Sequence, residues 1–124
     1  MRITLTALAL AAAVPCLAAE ASALDVTFGN TIVSTYPDGR QAELWLHPDG
    51  SYGAEGRRHD RSSGQWKVKG EKLCLKQSKP IGLPFTFCTP LMHGGIGTSW
   101  TTKAVTGEQI RVQLVKGAVD PALG

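Results

Sequence analysis

Few residues of this chain have a capacity for chemistry, and their spacing limits what they can do. Cys74 and Cys88 have thirteen residues between them, and each sits inside a short apolar segment, KLCLK and FTFC. A zinc site would need further Cys or His ligands at short spacing, and a redox pair would sit as C-x-x-C. Neither pattern is present, so the pair reads as one disulfide. In the chain-entropy view, closing a loop of this size stabilises by about 3 kcal/mol, a large share of the ~5–15 kcal/mol that holds a small domain together. His47, His59 and His93 lie on separate segments with no paired spacing, and they read as surface histidines. His93 and Ser99 lack a G-x-S-x-G nucleophile elbow. Gly94, Gly95 and Gly97 are glycine-rich without the G-x-x-x-x-G-K-[ST] order of a phosphate loop. No catalytic residue, metal or cofactor is therefore expected, and the sequence points to a non-enzymatic protein.

A disulfide requires an oxidising compartment, and the first residues supply a route to one. Arg2 gives a positive start, residues 3–14 are apolar, and small residues follow with Ala19, Ala21 and Ala23 at candidate cleavage positions. This is the layout of a secretory signal peptide, expected over residues 1–23 with cleavage after Ala21 or Ala23. The apolar run is shorter than the roughly 20 residues of a spanning helix. Cys16 would leave with the signal, since Pro15 before it departs from a lipoprotein pattern. Arg2 and Glu20 leave together, so the mature charge stays at +3, too mild to argue for nucleic acid.

The remainder reads as a succession of strands, with no helical period. Residues 31–36 are β-branched and aromatic, and residues 41–47 place Ala42, Leu44 and Leu46 on one face. Two Pro-Asp-Gly turns, at 37–39 and 48–50, recur at the spacing of a β-meander. Residues 55–63 read as a polar connection. Trp66 and Val68, then Ile110, Val112 and Leu114, form further inward rows. A short first strand is read at 25–28, and Trp100 anchors another at 98–104. If residues 72–77 pair antiparallel with 85–89 so that Cys74 meets Cys88, Leu75 faces Phe87 and Leu73 faces Thr89. Leu73, Leu75, Phe85 and Phe87 then share one face, an agreement that a one-residue slip would destroy. The expected fold is all-β: a small antiparallel barrel or half-barrel of eight or nine strands over residues 24–116, with a loose tail at 117–124. A two-sheet sandwich is the alternative.

Two surface features carry functional expectations. Lys67, Lys69, Lys72 and Lys76 share the parity opposite the core, and Arg57, Arg58 and Arg61 lie just before them. Together they could offer one positive patch to an anionic partner, or they could solvate and protect strand edges. Trp45 points away from Ala42, Leu44 and Leu46. It is either exposed for contact with a partner or the cover of a second small core.

The stretch YPDGR…LWLHPDGSY…SSGQWKVKGEKLCLK…FTFC, residues 36–88, resembles small exported alphaproteobacterial proteins of unassigned function, which share the D-G turn, the G-x-W strand and the L-C-L strand paired with a later cysteine. The resemblance implies a periplasmic or secreted protein and transfers no catalytic residue. Gly64, Trp66, Cys74 and Cys88 also resemble the pattern of periplasmic metalloprotease inhibitors, small one-disulfide barrels that insert a mature N-terminus into the protease. The expectation is an exported β-domain that binds a ligand or associates with an anionic component of the envelope, the alternative being an inhibitor of a secreted protease.

Overall fold

The computed structural model describes residues 24–117. The expected signal segment 1–23, with Cys16 and both cleavage positions, lies outside the described residues, as do residues 118–124 of the expected tail. Eight antiparallel strands follow one another: β1 (Thr31–Thr35), β2 (Gln41–Leu46), β3 (Ser51–Glu55), β4 (Arg61–Lys69), β5 (Lys72–Lys79), β6 (Phe87–Pro90), β7 (Ser99–Lys103) and β8 (Gln109–Val115). Their order across the sheet is β6-β5-β4-β3-β2-β1-β8-β7. Because β8 closes onto β1, the sheet curls into a nearly closed up-and-down barrel with one seam, between β6 and β7. Across that seam the Thr89 and Thr102 hydroxyls stand 3.3 Å apart. Closure removes most of the exposed edge that an open eight-stranded sheet would carry, and it decides against the sandwich.

The inward rows are those the alternation predicts. Cys74 pairs with Cys88, Leu75 with Phe87 and Leu73 with Thr89, and the disulfide joins Cys74 to Cys88 on the outer wall. Four expectations are corrected. Residues 25–28 are not a strand: Thr27 N–H donates to Leu24 C=O, Phe28 to Asp25 and Asn30 to Thr27, winding the chain into successive tight turns. β6 starts at Phe87, so Phe85 leaves the core row and is 50% exposed. β4 begins at Arg61, where Ser62 and Ser63 pair with Ala54 and Gly53, so the connection shrinks to residues 56–60. Gly117, expected in the tail, is held by Thr31 Oγ1 on its carbonyl and by Asn30 Oδ1 on its N–H.

Four hairpin turns share one hydrogen-bond plan. The first residue's N–H donates to the fifth residue's carbonyl, and the fourth residue's N–H donates back to the first. The pairs are Tyr36/Arg40, His47/Ser51, Gly56/Asp60 and Ala104/Glu108. The fourth residue takes a left-handed backbone: Gly39 at φ 85°, Gly50 at 92° and Gly107 at 89°, but His59 at 67° in the third turn. A side chain pays a steric penalty there that glycine escapes. His59→Gly is accordingly expected to stabilise the barrel by about 0.5–1 kcal/mol, measured as an increase in the urea midpoint. The side chain is otherwise exposed, and its 3.4 Å contact with Glu55 is weak.

Candidate functional site: an apolar cup

The two ends of the barrel are built differently. At one end lie the 47–50 and 70–71 turns, the 91–98 connection and the N-terminal turns. There Leu24, Thr27, Leu46 and Leu114 are fully buried, Leu91 and Met92 close in, and the Phe28 and Trp66 rings meet at 5.9 Å. The Trp66 indole N–H donates to the His47 carbonyl at 2.8 Å, tying the plug to the wall. At the other end the inward residues are small. Ser34 of β1, Ala54 of β3 and Ser62 of β4 occupy positions that larger side chains fill lower down, and Leu44 and Val112 stand beside them. Side chains normally fill the interior of an eight-stranded barrel. Small ones here leave a cavity of about 300 Å³, floored by Leu24, Leu73 and Met92, walled by Tyr52, Phe87, Trp100 and Ile110, and reaching exposed Asp60, Lys103 and Val105 at the mouth.

The hydroxyls of Ser34, Tyr36, Tyr52 and Ser62 line the cup without a hydrogen-bond partner among the described residues, and Tyr52 is the most buried of the four. Tyr52 is 6% exposed, yet its hydroxyl has no hydrogen-bond partner among the described residues. No enclosed side-chain polar atom there lacks a partner, so this oxygen opens onto the cavity rather than onto packed protein. Burial pushes the phenol above its ordinary range, which keeps it a neutral donor at physiological pH.

The mouth is braced by charge. Arg57 donates to Glu108 at 2.8 Å, lies 3.5 Å from Asp38 and stacks over the Tyr36 ring at 4.1 Å. It thus joins the 36–40, 56–60 and 104–108 turns. Hydrogen bonds from Arg57, and then from the Thr106 hydroxyl, hold the Glu108 carboxyl below its usual range. Such a group contributes stability above the unfolded carboxyl pKa of about 4.3, and that contribution is lost as pH falls through its lower folded value. Arg57→Ala is therefore expected to lower the urea midpoint near neutral pH, and the difference from wild type should narrow in strong acid.

The basic residues singled out in the sequence do not form one patch. Arg57 is consumed in the brace, and Arg61 contacts Glu55 at 3.4 Å. Arg57 and Arg58 border a groove on the outside of the mouth that also holds Glu43 and Glu55. Lys67, Lys69, Lys72 and Lys76 lie on the outer wall of β4 and β5, all exposed. Lys67 stands opposite Cys74, and Lys69 opposite Lys72. Lys76 donates to the Leu83 carbonyl. None of the four has an acidic partner among the described residues. Trp45 is not an exposed contact: it is 4% exposed, and its indole N–H donates at 3.0 Å to Thr31, whose hydroxyl donates in turn to Gly117. It is buried outside the hydrophobic core cluster of the barrel.

An apolar lumen is what a binding module predicts, but the residues that open it were not singled out in the sequence. Its signal is the run of small inward residues, Ser34, Ala54 and Ser62, on strands whose other inward positions are large. Among the described residues no three of His, Cys, Asp and Glu converge to hold a metal ion, and no helix is long and apolar enough to cross a membrane. No protein-family model, curated protein or solved structure matches the chain.

Proposed function

We propose that the barrel is a binding protein that takes a small, largely apolar molecule into its cup, with a hydrogen-bond acceptor of that molecule meeting the Tyr52 hydroxyl. The observation that carries this reading is the open apolar cavity of about 300 Å³ with the buried Tyr52 hydroxyl unpartnered inside it. Ligand pockets begin at about this size and combine apolar walls with a few oriented polar groups. A void that only water occupied would forgo the packing that a filled core supplies. The inhibitor alternative draws no support from the N-terminal turns, because Leu24 is 2% exposed and Thr27 is fully buried.

Titration with the neutral fluorophore N-phenylnaphthylamine tests the proposal. Saturable enhancement with one site per chain is expected, together with quenching of tryptophan emission. That quenching should arise from Trp100, which lines the cup, and so disappear in Trp100→Phe while probe binding persists. An absence of saturable enhancement would remove the reading.

A further inference from the structure

We infer that the mouth of the cup docks on the surface of an anionic phospholipid bilayer, and that the molecule it takes up is the apolar part of an amphiphile residing there. The second half of this statement rests on the binding proposal; the first does not. Its ground is the chemistry of the rim. The 80–86 connection joins β5 to β6, and the 104–108 turn joins β7 to β8. Both lie at the open end, one on each side of the seam. They carry Ile81 at 69% exposed, Phe85 at 50% and Val105 at 59%. Of the five large apolar side chains that stand exposed among the described residues, these three share the open end; Ile96, 50% exposed in the 91–98 connection, and Val115, at 39%, lie at the closed end.

Phe85 and Ile81 are held outward by the chain itself. Leu83 N–H and the Gln77 side-chain amide bind the connection back onto β5, through the Gln77 and Ile81 carbonyls at 3.2 and 3.0 Å. Lys76 holds the Leu83 carbonyl. The tips are thus ordered and project singly, which suits insertion among lipid head groups better than the flat, continuous contact of a protein interface.

The charges around these tips fit the same partner. Asp38, Glu55 and Glu108 at this end are engaged by Arg57, His59 and Arg61, while Asp60 has no ion-pair partner among the described residues. Arg40, Arg58, Lys79 and Lys103 have no ion-pair partner among the described residues. Lys79 ends β5 just before the tips, and Lys103 ends β7 on the cavity wall. Unpaired cations beside projecting apolar groups are what an anionic bilayer attracts. With the mouth so oriented, the seam and cavity face the lipid directly, and an acyl chain could pass from bilayer to cup without crossing water.

The test places a reporter at the tip. Phe85→Trp in the full chain, mixed with vesicles of phosphatidylglycerol and phosphatidylcholine, should show a blue-shifted tryptophan emission. Brominated acyl chains should quench it. Phosphatidylcholine vesicles alone should leave it unchanged. Ile81→Ser combined with Phe85→Ser should weaken sedimentation with the anionic vesicles at least tenfold, while N-phenylnaphthylamine still binds in solution, because neither residue lines the cavity. No shift and no quenching in Phe85→Trp would overturn docking. Vesicle binding that survives the double serine variant but falls on replacing Lys67, Lys69 and Lys72 by glutamine would overturn it too, assigning the lipid contact to the outer wall of β4 and β5. If docking holds but N-phenylnaphthylamine never binds, the cup proposal fails and the membrane surface stands.

Discussion

Gly64→Ala is expected to destabilise the barrel by about 2–4 kcal/mol, a fall in melting temperature of more than about 8 °C. The reason is not the backbone conformation of Gly64, which is ordinary extended strand. It is the approach of β5. Ser63 pairs with Lys79 but Gly64 pairs with Gln77, so β5 carries one extra residue, Ser78, at this step. The bulge presses the β5 backbone against the inner face of β4. A Cβ on Gly64 would lie 2.0 Å from the Lys76 carbonyl oxygen and 2.9 Å from the Gln77 Cα. Those are backbone atoms held by the ladder, so they cannot swing aside as a side-chain tip could. Gly82→Ala is the matched control. It meets nothing within 4 Å and has no positive φ, so its effect should stay within about 0.5 kcal/mol. Equal effects of the two substitutions would mean that the bulge does not bring the strands together. The same contact gives the G-x-W segment a physical meaning: glycine admits the neighbouring strand, and two residues on, Trp66 resumes the inward row and closes the plug.

How much of this could be read from the sequence follows from which forces act locally. Alternation along a strand is local, and the inward rows of β2, β4, β5 and β8 were legible from it. The Cys74–Cys88 pairing was legible because two local patterns agree in only one register. The Pro-Asp-Gly turns were legible because proline and glycine write their backbone angles into the sequence. The equivalent turn at 56–60 was hidden, because His59 occupies the glycine position. Parity also gave the correct face for Trp45 but not its cover, which comes from Thr31 and from Gly117, 86 residues beyond Thr31. Arg57 read as a free cation because its partner Glu108 lies 51 residues away. Phe85 read as core because an apolar residue two positions before Phe87 continues the alternation. What ends the strand is the connection folding back onto Gln77, a contact the alternation does not encode. The cup itself is an absence of side-chain volume, and it becomes visible only when small residues from three strands are placed at one level.

That absence makes a sharp prediction at Ala54. Its side chain faces the cavity between Leu44 on β2 and Ser62 on β4. Ala54→Trp should place an indole in the space proposed for the ligand and lower the affinity for N-phenylnaphthylamine by about 100-fold or more, a loss of at least roughly 2.7 kcal/mol of binding free energy. The stability measurement gives the result its meaning. Overpacking a filled core typically costs about 1–3 kcal/mol, whereas an indole entering an apolar void gains contacts and displaces no packed atom. The melting temperature of Ala54→Trp should therefore hold or rise. Leu46→Trp, in the filled end where Leu46 is 1% exposed, should lower it sharply. A stable Ala54→Trp protein that binds the probe as well as wild type would place the probe elsewhere on the surface. A strongly destabilised one would mean that the upper barrel is already packed, with no room for a ligand. Only preserved stability together with lost binding requires a preformed cup that a guest and an indole cannot share.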